Sequence, residues 1–139
     1  MIVLDASVLI GYLDSSDAHH ASAEALLTAS VDEDLGVNML TLAEVLVAPA
    51  REGRLEAVLD VLRDLDVAEL ALPVDGPARL AVLRAATGLK LPDCCVLLSA
   101  DVVHGTVASF DGQLLHAAEG RGMAVVANVG LAGGGTTGA

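Results

Sequence analysis

Residues 1–13, MIVLDASVLIGYL, carry one charge, Asp5, between two apolar runs. Residues 2–5, IVLD, read as a short buried strand, and residues 7–13 read as a brief helix directly after it. A strand that passes straight into a helix is the first half of a parallel crossover unit. A carboxylate at such a junction is costly unless something compensates it.

The same alternation continues outward from this stretch. Ser15, Ser16 and Asp17 form a turn and cap cluster before a helix in residues 19–29, HHASAEALLTA; there Ala21, Ala25 and the Leu26/Leu27 pair recur at helical spacing. LGVN (35–38) reads as strand two. TLAEVLVAPAR (41–51) reads as a helix starting at Thr41, bent or broken by Pro49, with Gly53 as a boundary. Residues 54–65 form a helix with an apolar stripe at Leu55, Val58, Leu59 and Leu62. VAELALPV (67–74) reads as strand three, and residues 76–88 as a helix closed by Gly88. Pro92 introduces a long apolar helix over 93–105, TVASF (106–110) is strand four, 111–122 a helix and MAVVAN (123–128) strand five. No hairpin signal or internal repeat interrupts the pattern. It predicts an α/β fold with a mostly parallel central sheet of about four or five strands, flanked by helices on both faces. The expected organisation is one domain over 1–128 and a flexible Gly-rich tail over 129–139.

Composition supports a packed domain. Hydrophobic residues make up 54% of the chain, with one Tyr, one Phe and no Trp, so the core is built on aliphatic methyl groups and disorder is excluded. The N-terminus lacks a basic leader region, and no apolar run approaches the ~20 residues that span a bilayer. A cytoplasmic location with no membrane contact is therefore expected. Cys94 and Cys95 are adjacent, a spacing that fits neither a disulfide framework nor zinc, and they read as reduced core thiols.

Most acids occur where solvated acids belong, crowded in the loop at 32–34 or mixed with arginines over 51–64. Four stand alone in apolar sequence: Asp5, Glu44, Asp93 and Asp111. Asp5 and Asp111 fall just beyond strand ends, Asp93 at a helix start and Glu44 one turn into a helix. In a parallel sheet these positions share the edge where ligands bind. Each acid also fits a cap: Thr41 and Glu44 have capping-box spacing, and Asp5, Asp93 and Asp111 suit N-cap positions. Carboxylates gathered in one apolar setting raise each other's pKa, a conflict that a divalent cation removes. An all-oxygen donor set points to Mg²⁺, or Mn²⁺ as a substitute, rather than zinc.

Taken in order, LDASVLIGYL, TLAEVL, LKLPDCCVLLSA and VASFD resemble the PIN domain, and within it the VapC-type toxins of toxin–antitoxin pairs. The resemblance covers the chain up to about Asn128. It implies a Mg²⁺-dependent ribonuclease whose acids are Asp5, Glu44, Asp93 and Asp111, with Asp5 and Asp93 as central metal ligands and Glu44 and Asp111 ligating directly or through water, or helping the attacking water lose its proton. It further implies hydrolysis to a 5′-phosphate and a 3′-hydroxyl, with tRNA or ribosomal RNA as the usual target class. Ser7 and Ser109 match positions where the family often carries a hydroxyl beside the acids, though a helix cap and a strand-end turn describe them equally well. Two departures are visible: Cys94 and Cys95 replace small residues after the acid, and Ser109-Phe110-Asp111 replaces the commoner Thr-x-Asp. The partners implied are a small antitoxin and a second copy of the chain, as a homodimer or a hetero-oligomer with the antitoxin.

A net charge of −12 is poor for RNA binding, which normally shows as a basic patch. Metal neutralises part of it, and Arg51, Arg54, Arg84 and Lys90 lie near the acidic motifs as candidate RNA or antitoxin contacts, each also readable as a solvated helix residue. His19 and His20, adjacent on a helix, point about 100° apart and read as surface residues. Two other functions compete. One is a PIN-like nuclease of RNA processing outside a toxin–antitoxin pair, distinguished by the absence of a neighbouring antitoxin gene. The other is a non-catalytic acidic-pocket module, which expects an acid beside Asp5 and a lysine late in the chain; neither is present.

Overall fold

Five strands and seven helices alternate along residues 1–128, the part of the chain that the computed structural model describes; the expected tail, 129–139, lies outside the described residues. In chain order they are β1 (Ile2–Leu4), α1 (Ala6–Leu13), α2 (His20–Ala29), β2 (Leu35–Asn38), α3 (Met39–Arg51), α4 (Leu55–Asp64), β3 (Val67–Leu70), α5 (Gly76–Thr87), α6 (Leu91–Val103), β4 (Thr106–Ala108), α7 (Gly112–Gly120) and β5 (Val125–Val126). The sheet order is β3-β2-β1-β4-β5, and every pairing is parallel. From β1 the chain builds outward through β2 and β3, then returns to the other side of β1 for β4 and β5. The order thus reverses between β1 and β4, a switch point whose crevice lies beyond the strand C-termini.

Side-chain alternation along the central strands explains the two helical layers. Ile2 and Leu4 join Val8, Leu9, Leu26, Val37, Val45 and Leu62 on one face. Val3 and Val107 join Leu97, Leu98, Leu114 and Ala118 on the other. Helix α6 is the most buried, with Cys94 to Ala100 enclosed without a break, and both thiols are free and buried.

Several sequence expectations shift at element ends. α3 starts at Met39, not Thr41, because Asn38 is its N-cap and its side chain accepts from the Thr41 N–H at 3.0 Å. The Asn38 amide in turn donates to the Thr41 hydroxyl at 2.9 Å, so the reciprocal cap pairs Asn38 with Thr41, and Glu44 is released from that role. Pro49 does not end α3, which continues to Arg51; one intrahelical donor is lost there. Strands one, three and four are shorter than expected, ending at Leu4, Leu70 and Ala108, and the fifth covers only Val125–Val126 of the expected 123–128. Gly88 closes α5 at φ 72°, as the sequence predicts.

Candidate active site

Asp5 follows β1 and occupies the N-cap position of α1, yet its side chain caps nothing. Its backbone N–H donates to the Ala108 carbonyl at 2.9 Å, which pins the residue across the switch point. The side chain is buried, and Oδ2 accepts from the Ser7 hydroxyl at 2.8 Å and the Ser109 hydroxyl at 2.7 Å. Each such bond to a charged acceptor contributes about 1.5–3 kcal/mol, enough together to offset the several kcal/mol that burying one ion costs. Ser7 Oγ also accepts from the Phe110 N–H at 3.0 Å, and Ser109 Oγ accepts from the Asp111 N–H at 2.9 Å. The two serines therefore stitch Asp5 to the Phe110–Asp111 turn.

Asp111 is a true N-cap: Oδ1 accepts from the Gln113 and Leu114 N–H groups at 2.9 and 3.5 Å. Its second oxygen has no hydrogen-bond donor among the described residues. Asp93 is not a cap. Lys90 holds that position, and Asp93 stands in the first turn of α6, where the helix N-terminus favours negative charge. Glu44 is exposed on α3.

Electrostatics tie the four acids together. Desolvation, then the charges of Asp5, Asp111 and Glu44, push the Asp93 carboxyl above its ordinary range, and Lys90 opposes them as the smallest contribution. Desolvation and then Asp5 raise Glu44. All four acids thus lie within electrostatic reach at the C-terminal edge of the sheet. No three His, Cys, Asp or Glu side chains among the described residues stand close enough to hold a metal ion by themselves. The donor set is all-carboxylate and hard, and it fits Mg²⁺, an ion that keeps several waters and takes only one or two carboxylates directly.

Around this site the remaining sequence candidates divide. Arg54 is paired with Glu52 at 3.0 Å. Arg51 and Lys90 have no carboxylate partner among the described residues. His20 donates from Nδ1 to the Gly11 carbonyl at 2.8 Å, with Nε2 3.4 Å from Glu24, whereas the His19 ring stacks on Phe110 at 4.8 Å and 18°. The two histidines thus serve different partners, and the stack covers the residue between Ser109 and Asp111. No spacing signal in the sequence points to that pair, because 91 positions of chain separate them.

The family model for the PIN domain matches residues 2–120, from β1 through α7. VapC20 of Mycobacterium tuberculosis, a sarcin-ricin loop cleaving toxin, is similar with a TM-score of 0.71 and 17% identity, over 84% of this chain and 95% of its own. VapBC2 of Rickettsia felis, bound to a DNA fragment from its promoter, gives a TM-score of 0.72 at 11% identity, over 92% and 99%. A toxin–antitoxin complex from Klebsiella pneumoniae gives 0.66 at 21% identity, over 80% and 87%. At these identities the likeness is one of fold. No curated protein matches the chain in sequence.

Proposed function

The chain belongs to the PIN domain family, and from that premise we propose that it is a Mg²⁺-dependent endoribonuclease, the toxin of a toxin–antitoxin pair. The observation that carries this reading is the electrostatic coupling of Asp93 to Asp5, Asp111 and Glu44, four carboxylates drawn from β1, α3, α6 and the β4–α7 turn to one switch point. The resemblance of the fold to VapC20 and to two toxin–antitoxin complexes supports the toxin assignment.

Asp5 and Asp93 would hold the cation most directly, with Asp111, through its uncapped oxygen, and Glu44 completing the set. Bound there, Mg²⁺ supplies an activated water and charge neutralisation for in-line attack on a phosphodiester. Ser7 and Ser109 fix the Asp5 carboxylate by occupying Oδ2. Glu44, whose proton affinity is raised, suits the part of accepting a proton from the attacking water. Cleavage would leave a 5′-phosphate and a 3′-hydroxyl. Among the described residues no helix is long and apolar enough to cross a membrane; the proposed substrate class is cytoplasmic tRNA or ribosomal RNA. Met39, Leu40 and Val47 remain exposed on α3, and Ile10 on α1; this apolar surface supports a protein partner, whether the antitoxin or the second subunit of a homodimer.

The test is to sequence RNA ends from cells expressing the wild-type chain and Asp93→Asn. New 5′-phosphate ends at discrete positions are expected with the wild type alone. Identical end profiles in the two would refute the assignment.

A further inference from the structure

Beside the acids, between the α5–α6 turn and α7, runs a cleft of about 560 Å³ lined by Thr87, Gly88, Leu89, Gln113, His116 and Arg121, among others. Its position is set by the site. Leu89 lies four residues before Asp93, and Gln113 donates its N–H to Asp111, so the cleft opens between the segments that bear these two acids.

The charge lining this cleft differs from the rest of the molecule. The chain has 19 acids and seven Lys and Arg residues, yet no acid lines the cleft. Arg54, Arg63 and Arg79 are ion-paired, with Glu52, Asp60 and Asp101 respectively. The four cations without a carboxylate partner among the described residues are Arg51, Arg84, Lys90 and Arg121. One of these lines the cleft, and two are tied to its wall residue Leu89. Arg121 lines it; Arg84 donates to the Leu89 carbonyl at 2.8 Å and so fixes its wall; Lys90 follows Leu89 at the start of α6. Arg121 also faces a neighbouring apolar cavity containing Asp101, but that carboxylate is taken by Arg79 at 2.7 Å. Glu119, the acid of α7, is exposed and not part of the lining.

Exposed cations left unpaired in an acidic protein suit the reception of an anion, and a polyanion is steered toward a surface lined by cations and not by acids. Resting on the nuclease reading, we propose that this cleft carries the phosphate backbone of the RNA strand leading to the acids, with Arg121 and Lys90 contacting phosphates and Gln113 and His116 offering neutral hydrogen bonds. Such contacts position a strand without reading its sequence.

The experiment measures binding of a short fluorescein-labelled single-stranded RNA of mixed sequence by anisotropy, in Mg²⁺, across a range of salt. Every protein carries Asp5→Asn to keep the RNA intact. Arg121→Glu is expected to weaken binding about tenfold, and Arg121→Gln to reduce the slope of log K against log salt by about 0.7, the value of one phosphate contact on a single strand. Lys90→Gln adds a similar decrement, while Arg63→Gln, on a remote ion-paired residue, leaves affinity and slope unchanged. Circular dichroism melts verify that each exposed substitution leaves the fold intact. Unchanged affinity and slope in Arg121→Glu would overturn the cleft assignment while leaving the nuclease reading standing, since cleavage and its loss in Asp5→Asn are measured separately. Absence of RNA binding even at low salt would overturn both. Equal competition by poly-glutamate would make the cleft a site for acidic protein segments and remove RNA from it.

Discussion

Around Asp5 and Asp111 the chain has built hydrogen-bond donors for each carboxylate, whereas Glu44 and Asp93 accept no side-chain or capping bond among the described residues. The first pair belongs to the strand ends β1 and β4, which are locked to each other by backbone pairing. The second pair belongs to helices α3 and α6, and desolvation and like charge raise both of its members. One half of the site is therefore preorganised by the protein, and the other half is left electrostatically unfinished. The contrast teaches that stability and function need not reside in the same acids: removing a finished carboxylate harms both, and removing an unfinished one harms function alone.

The largest expected effect is on cleavage. Asp5→Asn and Asp93→Asn are each expected to cost more than the ~100-fold that loss of outer-shell groups typically reaches, read as initial rate on an RNA substrate. Their stabilities should part company. Asp5→Ala strands two serine donors and is expected to destabilise the metal-free protein by about 2 kcal/mol. Asp93→Asn relieves repulsion and is expected to raise its thermal midpoint by roughly 2 °C, a modest gain because the group is partly solvated. Midpoints that fall equally in the two variants would erase the distinction between the halves.

Ser109→Ala probes the finished half through its support. Loss of one charged hydrogen bond is expected to cost roughly 1.5 kcal/mol in urea unfolding and about tenfold in cleavage rate, with Ser109→Thr restoring most of both. A rate unaffected by the alanine would leave the hydroxyl as packing only.

For the unfinished half, pH gives the sign. Asp93 and Glu44 are both raised, so their contribution to folding is fully present below the ordinary carboxylate range near ~4 and is lost as pH rises through their raised values. The metal-free protein is expected to weaken from this source as pH rises from the ordinary carboxylate range through the raised values, and Mg²⁺ to raise the midpoint more at the upper end of that rise than at the lower. An equal rise at both ends would separate Mg²⁺ binding from these two acids.

The smallest effect belongs to Ser99, whose hydroxyl is the one buried side-chain polar atom without a partner among the described residues. Ser99→Ala is expected to change stability by less than about 0.5 kcal/mol, or to raise it. Set beside Ser109→Ala in the same unfolding assay, it measures what a buried hydroxyl contributes with and without a carboxylate to serve.

The alternating strands and helices were legible because apolar period and Gly, Pro and Ser punctuation agree along most of the chain, and LGVN matches β2 residue for residue. Element ends were less legible. Asn38 ends a strand and caps a helix at once, so a reading that spends it on β2 starts α3 late. The isolation of the four acids was visible in sequence, but which of them caps was not, since Asp5, Asp93 and Asp111 differ only in where neighbouring segments arrive. Arg121 escaped notice for a related reason. Its value lies in having no carboxylate partner among the described residues, whereas in sequence Glu119 stands only two residues away.

One further consequence follows from the bond between Asp5 and Ser109, which joins positions 104 residues apart. Asp5 is made 104 residues before its second hydroxyl donor, Ser109, and the neighbouring strand β4 emerges only just ahead of that donor. A chain still growing on the ribosome has no completed Asp5 pocket, and its central strand is open along one side. Completion of the Asp5 pocket is thus timed by translation itself: it waits until Ser109 has been made and β4 can pair with β1.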